Sequence, residues 1–433
     1  MNGNGVGGNS RYRIKAPPVP RRLQHVSGEA QIFMTKVIGR VVIAGAGQAG
    51  ATAAAELRRA GFDGEIALIG DENHLPYERP QLSKELLQPG KTTLRSMRSA
   101  EQYEQDRISL MLGRKILHID PRAQKVDLDN GTQLHYDRLL IATGVRPRPL
   151  PLKSDPRVHY LRRVEDATAL HEALDAGQAL AVIGGGVLNL EVASAASARG
   201  LKVTVIEAAD RLMARSVDER ISRFLDRTHR AHGVDIRYGV QARSLSDDGF
   251  LSLSDGSQVR AGYVLASIGV VPNAELVANF GIADIAGIRV DACGRTGLEG
   301  IYAAGDVTSQ PCGQGYARVE TWANAQDQAI AVAHNLLGEA KPYQSSTWFW
   351  SDQGKTNLQV VGDATWGASV TRGDESGDTF SVFKLDADHR VTGCATVNSP
   401  KDMAIARRWV KQGTKVDIQR LANPAVPLRD SAC

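Results

Sequence analysis

Two glycine-rich loops constrain this chain more than any other feature. The first is Gly45-Ala46-Gly47-Gln48-Ala49-Gly50, directly after the apolar run Val41-Val42-Ile43-Ala44. The second, 139 residues later, is Gly184-Gly185-Gly186-Val187-Leu188-Asn189, directly after Ala179-Leu180-Ala181-Val182-Ile183. A strand that turns sharply into a helix at such a loop sets the helix N-terminus against a pyrophosphate, and the glycines remove the side chains that would block its approach. One such loop is weak evidence, because glycines also mark ordinary turns. Here each is followed by a second strand ending in an acid: Glu65 to Ile69, then Asp71, and Val203 to Ile206, then Glu207. A carboxylate at that point accepts hydrogen bonds from ribose hydroxyls. Two full copies of strand, loop, helix, strand and acid predict two dinucleotide sites, with electrons passing from one cofactor to the other.

The 433 residues leave room for about three domains. Hydrophobic content of 42% and charged content of 23% are those of a globular protein. No uninterrupted apolar run reaches ~18 residues, so no membrane contact is expected. The net charge of +4 belongs to residues 1–33, where Arg11, Arg13, Lys15, Arg21 and Arg22 face Glu29 alone. The remaining chain is neutral, which argues against a nucleic-acid-binding surface. Residues 1–33 are rich in Gly, Asn, Pro and Arg and are expected to form a disordered tail. They lack the apolar core of a secretory signal, and Met34 is a second candidate translation start. Cys293, Cys312, Cys394 and Cys433 are scattered and far in sequence from the glycine loops. Without a C-x-x-C pair they read as reduced thiols of a cytoplasmic protein. No histidine spacing suggests a metal site.

After the first nucleotide unit, Asp71 to Gln81 reads as a loop and Ser83 to Leu87 as helical. Leu139 to Gly144 is a strand with a glycine turn, and Pro147 to Pro151 is a linker. The second unit ends with the strand Tyr263 to Ser267. Ile301-Tyr302-Ala303-Ala304-Gly305-Asp306 is another strand, followed by a helix from about Glu320 to Leu337. Asp306, at a strand end after both units, is placed to bind a ribitol hydroxyl of FAD. Beyond Pro342, strands Leu358–Gly362, Phe380–Leu385 and Val391–Val397 precede a helix from Pro400 to Lys411. In that helix Met403, Ala406, Trp409 and Val410 share one side, and Lys401, Arg408, Lys411 and Lys415 the other. The whole reads as α/β with two Rossmann-type units, the second inserted in the first, and a C-terminal α/β domain. The expected boundaries are 34–150 with 271–340 for the first nucleotide-binding domain, 151–270 for the second and 341–433 for the C-terminal domain.

Several motifs resemble one family. They are Tyr77-Glu78-Arg79-Pro80-Gln81-Leu82-Ser83-Lys84, Ala142-Thr143-Gly144-Val145-Arg146-Pro147-Arg148, Tyr160-Leu161-Arg162 and Leu190-Glu191-Val192-Ala193. Further ones are Arg211 to Arg215, Gly269 to Asn273, Ala304 to Val307, Val319 to Ala325 and Trp348-Phe349-Trp350-Ser351-Asp352-Gln353. From Val37 to about Leu428 the chain resembles the FAD-dependent redoxin reductases of bacterial oxygenases, the putidaredoxin reductase type. The resemblance implies a glutathione-reductase-like fold. It implies that NADH reduces FAD, which then passes single electrons to an iron–sulfur ferredoxin, Rieske-type or plant/adrenodoxin-type [2Fe–2S], feeding a Rieske dioxygenase or cytochrome P450. A monomer or weak dimer is expected.

Carried over residue by residue, the resemblance gives FAD the Gly45–Gly50 loop (Gly45, Gly47, Ala49 and Gly50), Asp71, Arg79, Lys84, Ile116, Thr143, Gly144, Arg162, Asp306 and Trp322. It gives NADH Gly184, Gly186, Val187, Glu191, Glu207 and Gly269. Lys84 and Glu191 would meet as an ion pair near the flavin and nicotinamide. A cation there favours anionic reduced flavin, and a carboxylate accepts a hydrogen bond from the carboxamide. The chain departs from the family at Asn189, which replaces the third glycine of the second loop, so that helix is expected to sit further out. Gln81 replaces a usual proline, and Gly354-Lys355 a frequent tyrosine. Glu207 followed by Ala208-Ala209, without arginine, predicts NADH over NADPH. Two rivals share the fold. NADH oxidases use a redox cysteine that Asp71–Lys84 lacks, and apoptosis-inducing-factor-type proteins carry a longer C-terminal insertion.

Overall fold

The computed structural model describes residues 38–345 and 347–433; the expected tail, 1–33, and Met34 lie outside the described residues. The first glycine loop joins the strand Arg40–Ala44 to the helix Gln48–Arg59. That strand is central in a five-stranded parallel sheet, flanked by Glu65–Gly70 and Ile108–Leu112 on one side and by Arg138–Ile141 and Ile301–Ala303 on the other. Val41, Val42 and Ile43 are fully buried, as a strand covered on both faces requires. The helix buries small residues, Ala49, Gly50, Ala51, Ala53 and Ala54. These pack against Ala325, Ala329 and Ala333 of the helix Trp322–Leu336. Arg58 and Arg59 occupy its last turn, where positive charge complements the helix dipole.

The second loop repeats this arrangement between the strand Leu180–Ile183 and the helix Val187–Ala198. Its parallel sheet runs Asp235–Tyr238, Val203–Glu207, Leu180–Ile183, Tyr263–Ala266, Val158–His159. The order matches the first sheet except at one edge. There the first unit takes Ile301–Ala303, late in the chain, and the second takes Val158–His159, from before its own glycine loop.

The C-terminal sheet is antiparallel, in the order Trp348–Gln353, Thr356–Gly362, Val391–Val397, Phe380–Leu385, Ala368–Gly373. Alternate side chains serve two cores. Leu358, Val360, Phe380, Val382 and Val397 join Phe224 and the second unit, while Val361, Phe383, Leu385 and Cys394 pack on Met403, Ala406 and Trp409. The helix Pro400–Gln412 thus buries the side expected of it and leaves Lys401, Arg408 and Lys411 exposed.

Three expectations need correction. Ser83–Leu87 is not one helix: two 3-10 turns, Arg79–Leu82 and Glu85–Leu87, leave Ser83 and Lys84 between them. The helix expected from Glu320 starts at Trp322, because Thr321 caps it by accepting from the Asn324 N–H at 3.1 Å. Two C-terminal strands, Trp348–Gln353 and Ala368–Gly373, add to the three expected.

Candidate functional site

A cleft of 1560 Å³ runs between the first unit, the second and the C-terminal sheet. Its floor is the first loop. Gly45 has φ +115°, and a Cβ there would lie 2.2 Å from the Ala142 carbonyl oxygen. Gly47 caps the helix with no side-chain hydrogen bond, and no acid stands in the first turn, so the first N–H groups stay free for an anion. A Cβ on Gly47 would meet nothing within 4 Å, so this side of the loop is open. Ala49, Asp71, Ile116, Thr143 and Gly144 also line the cleft. Gly50 does not: it is buried, and a Cβ there would come within 1.8 Å of the Gly45 carbonyl oxygen. Its role is to let helix and strand close together.

Two arginines and Asp306 form the next wall. Arg79 donates to Glu72 at 2.7 Å, to the Tyr77 hydroxyl at 2.9 Å and to the Arg162 carbonyl at 2.5 Å. Arg162 lies 3.4 Å from Asp306, at the end of the strand Ile301–Ala303. Burial raises the Asp306 carboxyl above its usual range, with Arg162 opposing. Asp71 sits at the rim, 2.5 Å from Arg163.

Lys84 and Glu191 do meet. Lys84, between its two turns, ion-pairs with Glu191 from the first turns of Val187–Ala198. Glu191 also accepts from Ser83 Oγ at 2.5 Å and from Ser351 Oγ at 2.8 Å. Burial pushes the Glu191 carboxyl up, while Lys84, Ser83 and Ser351 pull it down. Lys84 Nζ stands 5.9 Å from the centre of the Trp350 ring. Trp350 packs edge-on to Trp322 at 5.8 Å and stacks on Trp348 at 5.3 Å, with the Arg407 guanidinium 4.3 Å over Trp348. Trp322, first residue of its helix, lines the cleft with its Nε1 buried and, among the described residues, without a partner; Gln48 Oε1 is likewise unpartnered there.

The second loop has the same form. Gly184 has φ +104°, and a Cβ there would lie 2.6 Å from the Ser267 carbonyl oxygen. Gly186 caps the next helix without a side-chain bond, and its Cβ side is open. Val187 and Glu191 reach the cleft; Gly184, Gly186, Glu207 and Gly269 do not line it. Glu207 instead accepts from the Gly185 N–H at 2.5 Å and the Ala209 N–H at 2.7 Å, bracing the loop from behind. Gly269 adopts φ +107°, and its carbonyl accepts from the Arg148 N–H at 2.9 Å.

Sequence reasoning missed Ser83 and Ser351 as partners of Glu191, and Trp350 as a neighbour of Lys84. All lay inside quoted motifs, yet nothing in their spacing tells which side chain faces the ion pair. Cys312 is a further residue that the sequence does not bring to the site. Remote from the glycine loops in sequence, it is exposed and lines the cleft, because the chain after Asp306 returns along it as the strand Thr308–Cys312.

Residues 39–329 match the pyridine nucleotide-disulphide oxidoreductase family, and residues 348–432 match the reductase C-terminal family. The chain is 59% identical over 401 residues to the ferredoxin–NAD(+) reductase component of the p-cumate 2,3-dioxygenase system of Pseudomonas putida, covering 92% of this chain and 100% of that one. It is 40% identical to the corresponding component of the anthranilate 1,2-dioxygenase system of Burkholderia cepacia, over 90% and 98% of the two chains. The ferredoxin reductase for the CYP199A2 system from Rhodopseudomonas palustris has the same fold, with TM-score 0.87, 37% identity and coverage of 91% and 100%. So has a chain of the covalent putidaredoxin reductase–putidaredoxin complex, with TM-score 0.86, 35% identity and coverage of 90% and 97%.

Proposed function

The chain belongs to the pyridine nucleotide-disulphide oxidoreductases, as a ferredoxin–NAD(+) reductase, and we propose that it is the reductase component of a Rieske dioxygenase acting on aromatic rings. It is an NADH-dependent FAD flavoprotein that passes electrons to an iron–sulfur ferredoxin serving an oxygenase. The dioxygenase and its Rieske-type [2Fe–2S] ferredoxin are our reading, supported by the 59% identity to the p-cumate system component. The four free cysteines support a cytoplasmic location. Among the described residues no helix is long and apolar enough to cross a membrane.

The residues fit FAD. The uncapped helix at Gly47 offers N–H groups to the pyrophosphate. Asp306 would take a ribitol hydroxyl and Asp71 the adenosine ribose, and Arg79 and Arg162 would offset the charge of the phosphates. The unpartnered Trp322 Nε1 and Gln48 Oε1 are polar atoms that a bound ligand can satisfy. When bound, FAD takes a hydride from NADH and yields electrons singly. The second loop, with Gly186, Val187 and Glu207, would hold the NADH. We assign residues 34–150 and 271–340 to FAD binding, 151–270 to NADH binding and 341–433 to the C-terminal domain.

One observation carries the catalytic assignment: Lys84 of the first unit and Glu191 of the second pair inside the cleft that both units line. There Glu191 can orient the nicotinamide carboxamide and Lys84 can stabilise negative charge on reduced flavin. Glu191→Ala should slow flavin bleaching by NADH on the order of 10²-fold through lost positioning, and leave photochemical reduction of the flavin unchanged. Bleaching by NADH at the unmodified rate would refute the assignment. Ferredoxin reduction tests the partner. A Rieske-type ferredoxin from an aromatic-ring dioxygenase should be reduced faster than an adrenodoxin-type one; the reverse order would turn the reading toward a cytochrome P450.

A further inference from the structure

The Glu191 carboxylate is the meeting point of three parts of the chain. Lys84 and Ser83 come from the first unit, Glu191 from the second, and Ser351 from the first strand of the C-terminal sheet. Behind Ser351 the contacts continue. Gln353 Nε2 lies 3.0 Å from Ser351 Oγ, and His229 Nε2, on the helix Glu219–Ala231, lies 2.8 Å from Gln353 Oε1. Glu191, Ser351, Gln353 and His229 are all buried.

The polarity of this chain follows from its end. An ionised carboxylate only accepts, so Ser351 must donate its single proton to Glu191. Ser351 Oγ can then only accept from the next residue, so Gln353 presents its amide N–H₂ to Ser351 and its oxygen to His229. His229 must therefore carry a proton on Nε2. Burial lowers the His229 pKa, which is consistent with a neutral ring in that tautomer. Every donor points toward Glu191. Oε1 accepts from Lys84 and Ser351, while among the described residues Oε2 accepts only from Ser83 and keeps one lone pair open.

We propose that Ser351, held in its donating orientation by Gln353 and His229, is a positioning residue that fixes the Glu191 carboxylate so that Oε2 faces the nicotinamide carboxamide. The C-terminal domain thereby contributes to the NADH step. The proposal rests on the assignment of Glu191 to the nicotinamide end, which Glu191→Ala tests separately.

Ser351→Ala removes one donor from a buried carboxylate, and such charge-assisted bonds justify an effect of about tenfold. NAD(+) binding, read as perturbation of the oxidised flavin spectrum, should weaken by about that factor. Ser351→Thr, which keeps the hydroxyl, should restore most of it. A second readout needs neither flavin nor turnover. Lys84 is the charged group that acts on Glu191; Asp352, between Ser351 and Gln353, is exposed and bonded to Asn357. Burial raises the Glu191 pKa, so its folded-state value lies above the unfolded one. The associated stability is present below the unfolded value and is lost as pH rises through the folded value. Removing the Ser351 donor raises the folded value further. The melting-temperature deficit of the Ser351→Ala apoprotein should therefore grow from acid to neutral pH, whereas a plain packing defect gives a deficit independent of pH. Gln353→Met leaves Ser351 free to turn away and should act in the same direction; it carries the test if Ser351→Ala does not accumulate. Unchanged NAD(+) affinity with a pH-independent deficit, while Glu191→Ala still slows reduction by NADH, would overturn the positioning role and leave the Glu191 assignment intact.

Discussion

The two nucleotide units share a topology and solve the same packing problem differently. In the first, Gly50 brings helix and strand together by having no side chain: an added Cβ would sit 1.8 Å from the Gly45 carbonyl oxygen. In the second, Asn189 occupies that position fully buried, and its Nδ2 donates to the carbonyls of Ile183 and Gly184, both at 2.8 Å. The asparagine thus acts as a strut that satisfies two carbonyls at the turn. The acids diverge too. Asp71 stands at the rim beside Arg163, and Glu207 braces its own loop through two N–H groups. The first unit gains its close fit by omission and the second by hydrogen bonds, so the two should fail differently.

The largest difference is expected at the third loop position. Gly50→Ala should block packing of the first unit and yield protein without FAD or no folded protein, because the clash is with backbone. Asn189→Gly should fold and bind FAD. Near-normal FAD content in Gly50→Ala would remove the basis of the contrast.

The second unit also has a clamp. Lys384 of the C-terminal sheet donates to Asp218, the cap of helix Glu219–Ala231, at 2.8 Å, and Ser369 donates to the same oxygen at 2.8 Å. Both charged groups are buried. Burial tends to raise the Asp218 carboxyl, but Lys384, the Arg220 N–H and Ser369 outweigh it and hold it well below the usual range. Lys384→Met should cost about 3 kcal/mol at neutral pH, since it strands a buried charge. A depressed folded pKa gives stability that is present above the unfolded value, near 4, and is lost as pH falls through the folded one. The melting-temperature gap between variant and unmodified protein should therefore narrow below about pH 4. A gap constant from acid to neutral pH would show that the pair carries no linked stability.

Coenzyme choice sharpens the contrast between the acids. Glu207→Gln with Ala208→Arg should move the preference toward NADPH by about 10–100-fold, the scale of one or two charge-assisted contacts. The side-chain amide introduced by Glu207→Gln would also present an N–H₂ group where Glu207 now accepts from two backbone N–H groups, so a lower melting temperature should accompany the switch. Comparable catalytic efficiency with NADH and NADPH in the unmodified protein would refute a selective role for Glu207.

Much of this was legible in the sequence, and the limits are physical. Periodicity and glycine spacing disclose Arg40–Ala44, Gln48–Arg59 and their counterparts because those strands are buried on both faces and their turns require positive φ. They do not disclose Trp348–Gln353. Trp-Phe-Trp-Ser-Asp-Gln does not alternate apolar and polar residues, because the strand buries Ser351 and Gln353 against Glu191 and His229. Asn189 shows a related limit. The third-glycine rule concerns missing volume, and a side chain that hydrogen-bonds to the turn can fill that volume instead. Asn189→Ala isolates this: the Gly184 carbonyl loses the Asn189 donor while the Ile183 carbonyl keeps the Ser267 N–H, at a cost of about 2 kcal/mol, with NADH binding weakened and FAD content unchanged.

The smallest effect concerns what lies beside each unit. The helix Pro400–Gln412 stands near the helix of the first unit, where Asp327 is acted on by the charges of Arg407 and Lys411. Arg407 caps the aromatic run Trp348–Trp350–Trp322 that leads back to the cleft. Arg408, Lys411 and Lys415 are exposed on the same helix and the turn after it. An acidic ferredoxin meeting this face would be steered by charge, and charges at a rim act mainly on association rate and are screened by salt. Arg408→Glu with Lys411→Glu should therefore raise the Michaelis constant for ferredoxin about fivefold at low salt, roughly 1 kcal/mol, and the effect should fade near 0.5 M salt, where the Debye length is only about 4 Å. Reduction of the flavin by NADH should be unaffected, because that step enters through the second unit. Loss of NADH reduction in this variant would mean that the entry and exit of electrons are not spatially separate. A ferredoxin rate in the unmodified protein that ignores ionic strength would show that this helix does not guide the partner.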